Sequence, residues 1–114
     1  MSEFVWFDLR TADAEGAESF YSDLLGWRIA RDAEMPPMIA GEDGPWALIG
    51  GAMLPGGPQW LPYVRVEDLD EATARAEELG AQVLHAKTEG PAGSVTAIAD
   101  PTGAPVALWQ PRDA

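Results

Sequence analysis

A pattern of strand, helix and short strands occurs twice in this chain, so its fold must be built from two similar modules. Phe4 to Arg10 alternates, with Val5, Phe7 and Leu9 on one face and Phe4, Trp6, Asp8 and Arg10 on the other, which predicts a strand lying between a core and a second environment. A helix should follow. Asp13 is placed as its N-cap, Ala17, Phe20, Tyr21, Leu24 and Leu25 recur at helical spacing, and Gly26 is placed to end it. Trp27 to Arg31 then reads as another strand. About fifty-five residues after the first strand the order returns. Pro62, Val64 and Val66 form an apolar face opposite Leu61, Tyr63 and Arg65. Asp68 and Glu71 have capping-box spacing, Ala72, Ala76 and Leu79 make a narrow apolar stripe, and Gly80 supplies the stop. Leu25-Gly26-Trp27 thereby matches Leu79-Gly80-Ala81.

The ends of the halves echo each other too. Gly44-Pro45-Trp46-Ala47-Leu48 resembles Gly103-Ala104-Pro105-Val106-Ala107-Leu108 with one extra residue in the second copy. Between these anchors, Pro37 to Glu42, Gln82 to Lys87 and Ser94 to Ala99 are short segments bounded by turn residues, and Asp100-Pro101-Thr102-Gly103 is a strong turn. The Pro/Gly-rich stretch from Leu54 to Pro58 links the halves, giving modules of about 1–55 and 59–114. With 114 residues, 46% of them hydrophobic, one ordinary core is expected and hence a single domain spanning 1–114. Two helices are too few for a doubly wound parallel sheet. The expected class is α+β, with duplicated βαβββ modules, a mostly antiparallel sheet, helices packed outside and the sheet's concave face left free.

Nineteen Asp plus Glu against seven Lys plus Arg give a formal charge of −12, which repels nucleic acid and anionic membranes; it is read first as a solvated acidic surface that favours solubility, with attraction of a cationic ligand as the sharper alternative. No apolar run is long enough for a membrane span, and Met1 to Arg10 has no basic region leading into an apolar stretch, so a cytoplasmic location is expected. The absence of cysteine removes disulfides, thiolate ligands and thiol nucleophiles.

Taken in order, Asp13, Ala17, Phe20-Tyr21 and Leu24-Leu25-Gly26-Trp27, then Val64, Val66, Asp68, Asp70, Ala72, Ala76, Leu79-Gly80-Ala81, Asp100-Pro101-Thr102-Gly103 and Leu108-Trp109-Gln110, resemble the glyoxalase/bleomycin-resistance/extradiol-dioxygenase superfamily, the vicinal oxygen chelate proteins, across nearly the whole chain. The resemblance implies a cup-shaped sheet and, in the metal-dependent members, ligands drawn from the first and last strands of each module. Those positions fall on Trp6, Leu61, Ala47 and Ala107, none of which offers a metal donor. His85, the only histidine, lies elsewhere. No metal or other cofactor is therefore expected.

The strand faces then place Trp6, Asp8, Ile49, Tyr63, Arg65 and Trp109 in the cup as ligand-binding residues, an aromatic lining suited to a planar or cationic molecule. Trp27, Trp46 and Trp60 are read as packing or interface residues. Asp8 sits between Phe7 and Leu9, so it either meets ligand in the cup or needs a partner, which Arg10, Arg65 or Tyr63 could supply. No spacing marks a nucleophile with its base, so no catalytic residue is assigned. Two functions follow. The first is metal-free sequestration of a planar or cationic aromatic compound, as in the bleomycin-resistance branch. The second is an enzyme, a lyase, isomerase or glyoxalase-like activity, using Asp8, Tyr63 or Arg65. A homodimer is expected, because related proteins often build their cups across a two-fold axis.

Overall fold

The computed structural model describes residues 3–32 and 35–112. Its elements are β1 (Phe4–Arg10), α1 (Ala14–Leu25), β2 (Arg28–Asp32), β3 (Met35–Gly41), β4 (Gly44–Ile49), β5 (Gln59–Arg65), α2 (Leu69–Glu78), β6 (Gln82–Gly90), β7 (Gly93–Ala99) and β8 (Pro105–Pro111). Each half is strand, helix and three strands, the α+β repeat expected from the sequence. The chain divides into two compact units, one from Trp6 to Trp60 and the other from Leu61 onward together with the residues before Trp6. Among the described residues no helix is long and apolar enough to cross a membrane.

In the first unit the strand order is β2-β3-β4-β1, antiparallel except that β1 runs parallel to β4. The pairs Phe7↔Ala47, Asp8↔Leu48 and Leu9↔Ile49 decide which side chains share a face. Leu9, Ile39, Ala47 and Ile49 form the buried cluster, and Phe7, Ala14, Ala17, Tyr21, Trp27 and Ile29 pack against it. The β3–β4 register slips between Ile39↔Ala47 and Ala40↔Pro45, leaving Trp46 as the unmatched residue. Its indole meets Phe7 at 6.1 Å and Trp27 at 4.9 Å, both edge to face. Trp27 stacks on Tyr21, whose hydroxyl accepts the Trp60 indole N–H at 3.1 Å. All three tryptophans read as packing residues do pack.

Helix α1 begins where Asp13 accepts the Gly16 N–H at 2.9 Å and ends at Gly26, which takes the left-handed φ of 71°. Its apolar stripe is only half used. Ala17 and Tyr21 face the core, but Phe20, Leu24 and Leu25 are exposed, and the helix instead buries Glu18, which is paired with Arg31. Spacing places a residue on a helical face without saying how far round that face the sheet reaches.

The second unit has the order β5-β8-β7-β6, with β5 parallel to β8 and the other pairs antiparallel. Asp68 accepts the Glu71 N–H at 3.1 Å to start α2. Leu69 is fully buried and its N–H donates to Gln110 Oε1 at 2.8 Å, whereas Leu79, expected in the apolar stripe, is exposed.

Between β7 and β8, Asp100 Oδ1 accepts the Thr102 hydroxyl at 2.6 Å and the N–H groups of Thr102 at 2.8 Å and Ala104 at 3.1 Å. The Thr102 hydroxyl, followed by the Ala104 and Thr102 backbone N–H groups, holds the Asp100 carboxyl below its ordinary 3.8. A carboxyl whose folded pKa is depressed lends stability that is fully present above the unfolded value and is lost as pH falls through the folded one. NMR titration is therefore expected to find Asp100 still ionised below pH 3.8, and Thr102→Val should move its midpoint upward. An unchanged midpoint in the variant would contradict this account of the turn.

Candidate functional site

On β1, Trp6, Asp8 and Arg10 point away from the Phe7 and Leu9 side, and they are joined. Trp6 Nε1 donates to Asp8 Oδ1 at 3.0 Å, while Arg10 Nε and Nη2 reach Asp8 Oδ2 at 3.0 and 2.9 Å. The carboxylate thus receives three donors from its own strand. Asp8 and Arg10 are both buried, at 4% and 8% exposure, so the pair neutralises two charges where water cannot. Arg10, one of the partners expected from the sequence, reaches Asp8.

The loop after β4 closes over this pair. Gly50 N–H donates to Leu9 O at 3.0 Å, and Arg10 Nη1 donates to Ala52 O at 2.9 Å. A Cβ on Gly51 would stand 2.7 Å from Arg10 Nε, and Gly51 has a φ of +96°, so close approach and backbone conformation both require glycine. Two glycines directly after a buried strand allow backbone to lie against a bulky side chain.

The residue expected beside Trp6 and Asp8 on β4 was Ile49, and the structure corrects this. Asp8 pairs with Leu48 and Leu48 with Met38, so these two side chains share the face of Trp6 and Asp8. Ile49 pairs with Leu9, is 1% exposed and belongs to the opposite, buried cluster. The error arose in matching the two halves. Asp8↔Leu48 in one half corresponds to Tyr63↔Ala107 in the other, so Leu48 is the counterpart of Ala107, and the second copy has no extra residue there.

In the second unit Tyr63 lies opposite Ala107 and Arg65 opposite Trp109, so Tyr63, Arg65 and Trp109 share one strand face as expected. Trp109 is oriented by its indole N–H, which donates to Ala92 O at 3.1 Å. Tyr63 is half-buried and Arg65 exposed.

A divalent metal would need several oxygen or nitrogen donors converging on one point. With the register corrected, the ligand positions that the resemblance implies fall on Trp6 and Leu48 in the first unit and on Leu61 and Ala107 in the second. The one N–H among their side chains is a donor already committed to Asp8, and Asp8 is committed to Arg10. Among the described residues no group of three or more His, Cys, Asp or Glu could hold a metal ion, and His85 is exposed on β6. These residues do not fit a metal.

A family model described as a glyoxalase-like domain matches residues 5–109. The chain belongs to the glyoxalase-like domain family. The chain is 36% identical over 117 residues to "Putative glyoxylase CFP32" of Mycobacterium tuberculosis, covering 92% of this chain and 44% of that protein. It is 27% identical over 128 residues to the anthracycline biosynthesis protein DnrV of Streptomyces peucetius, covering 92% of this chain and 46% of that one. This domain thus spans about half the length of the curated relatives it matches. In fold it is similar to a glyoxalase/bleomycin resistance protein/dioxygenase superfamily member from Vibrio splendidus, with a TM-score of 0.64 at 17% identity over 98% of this chain and 100% of that one. The superfamily read from the sequence is therefore the right one.

Proposed function

We propose that this glyoxalase-like domain binds a planar aromatic small molecule without a metal ion and holds it rather than converting it. The observation that carries this reading is the Trp6–Asp8–Arg10 chain. At the strand position where metal-bearing members place a ligand, this protein puts an indole and ties it to an internally neutralised carboxylate. What remains on that face of the unit, with Leu48 and Met38, is aromatic and apolar surface suited to stacking. On the other unit Tyr63 and Trp109 offer a similar pair of rings. The formal charge of −12 favours a ligand with a positive group, and the likeness to a protein named for anthracycline biosynthesis supports a planar, ring-fused compound. Self-association into a homodimer belongs to the same reading, supported by the exposed Phe20 and Leu24 on α1.

A second reading rests on a specific observation. Tyr63 and Arg65 place a phenol and a guanidinium on one strand face, and the likeness to a protein named as a glyoxylase gives such a pair a chemical role. Incubating the protein with an anthracycline and following both free ligand and products separates the two. Sequestration predicts that ligand is depleted in proportion to protein, with recovery unaltered on denaturation and no change in outcome for Tyr63→Phe. Accumulating product that Tyr63→Phe abolishes would establish the enzyme instead.

A further inference from the structure

Beside β2 and β3 the first unit has an open hollow of about 370 Å³, lined by Gly26, Trp27, Arg28, Gly41, Glu42 and Trp46. It shares no lining residue with the Trp6–Asp8–Arg10 face. Its volume is within the range that small-molecule sites occupy. Two indoles meet edge to face there, with centroids 4.9 Å apart. A Cβ on Gly41 would stand 3.6 Å from Trp46 Cδ1 and 3.9 Å from its Nε1, so the missing side chain keeps the polar edge of that indole open. Neither the Trp27 nor the Trp46 N–H meets an acceptor among the described residues, and neither is sealed from solvent.

The hollow also carries two opposite charges that do not meet each other. Arg28 is exposed and directs Nη2 to Gly41 O at 3.3 Å, a backbone oxygen that leaves its charge uncompensated. Glu42 is exposed, and among the described residues it makes no ion pair with Arg28. A simple anion would suit Arg28 but would meet Glu42 and the −12 field of the whole chain, whereas a simple cation would suit Glu42 but meet Arg28. A molecule with one charge of each sign answers both, and a flat ring answers the indoles.

We infer that this hollow is a second small-molecule site, separate from the proposed aromatic face, that takes an aromatic zwitterion of the α-amino acid class. Its carboxylate lies toward Arg28, its ammonium toward Glu42 and its ring against the edge of Trp46.

The test is titration of ¹⁵N-labelled protein with phenylalanine, hydrocinnamate and phenethylamine, reading the indole N–H resonances of Trp27 and Trp46. Phenylalanine should shift these two and bind more tightly than either singly charged analogue. Arg28→Gln and Glu42→Gln should each weaken phenylalanine by about three- to five-fold, as exposed charge pairs do. Gly41→Ala, which fills the space beside the indole without altering charge, should weaken all three probes. Trp6→Phe should leave phenylalanine binding unchanged, so this site can fail or succeed independently of the proposed function. The inference is overturned if the indole resonances do not move at millimolar phenylalanine, if the three probes bind alike, or if both charge variants bind as the parent does.

Discussion

Asp8→Ala is expected to destabilise the protein by about 3–5 kcal/mol, because it leaves a buried guanidinium without its counter-charge. Arg10 is 8% exposed, is covered by the Gly51 backbone and also donates to Ala52 O. Thermal unfolding followed by circular dichroism should show the midpoint falling on the order of 15 °C for a domain of this size. The double variant Asp8→Leu with Arg10→Met should recover most of that loss, since replacing both members of a buried pair by apolar groups is often neutral. Trp6→Phe removes one hydrogen bond and should cost only about 1 kcal/mol. A single Asp8→Ala variant as stable as the parent would mean that the pair is solvated in solution, and the reading of Asp8 as an internally satisfied group would fall with it.

The second large effect is expected at Gly93, where β7 starts. A Cβ there would stand 2.2 Å from Gln110 O and 2.9 Å from Arg112 N, both backbone atoms, and the residue has a φ of +135°. No side-chain adjustment relieves a clash with backbone, so Gly93→Ala should cost about 3 kcal/mol, combining overpacking with backbone strain. It should also disturb the Ala92 carbonyl that accepts the Trp109 indole N–H, which tryptophan fluorescence would register. Gly103 is the comparison. Its φ is +97°, but nothing lies within 4 Å of a Cβ, so Gly103→Ala carries strain alone and should cost about 1 kcal/mol. Equal losses at the two positions would show that backbone conformation, not the close approach at Gly93, sets the cost.

Much of this arrangement was legible in the sequence because it is local. The caps at Asp13 and Asp68, the stop at Gly26 and the strands β1 and β5 all arise within a few residues, and each appears where its local pattern puts it. Register is not local. The match of Ala47 to Ala107 looked sound as text, yet a parallel pairing set by the whole strand puts Leu48 there, and one residue of slip moved Ile49 from the expected site to the buried cluster. Likewise the bulge at Trp46 and the burial of Leu69 depend on neighbours distant in sequence. Asp8 was recognisable as an anomaly, and Arg10 was among its named partners, but the closing of Gly51 over the pair was not, since two adjacent glycines announce freedom and not what that freedom is used for.

The binding chemistry proposed for this domain is aromatic and independent of metal. Calorimetric titration of an anthracycline into protein stripped with a strong chelator, with metal content measured on the same sample, tests it most directly. Saturable stoichiometric binding to metal-free protein, unchanged when divalent ions are restored, is the expected result. Binding that appears only after a divalent metal is added, at one ion per chain, would contradict it.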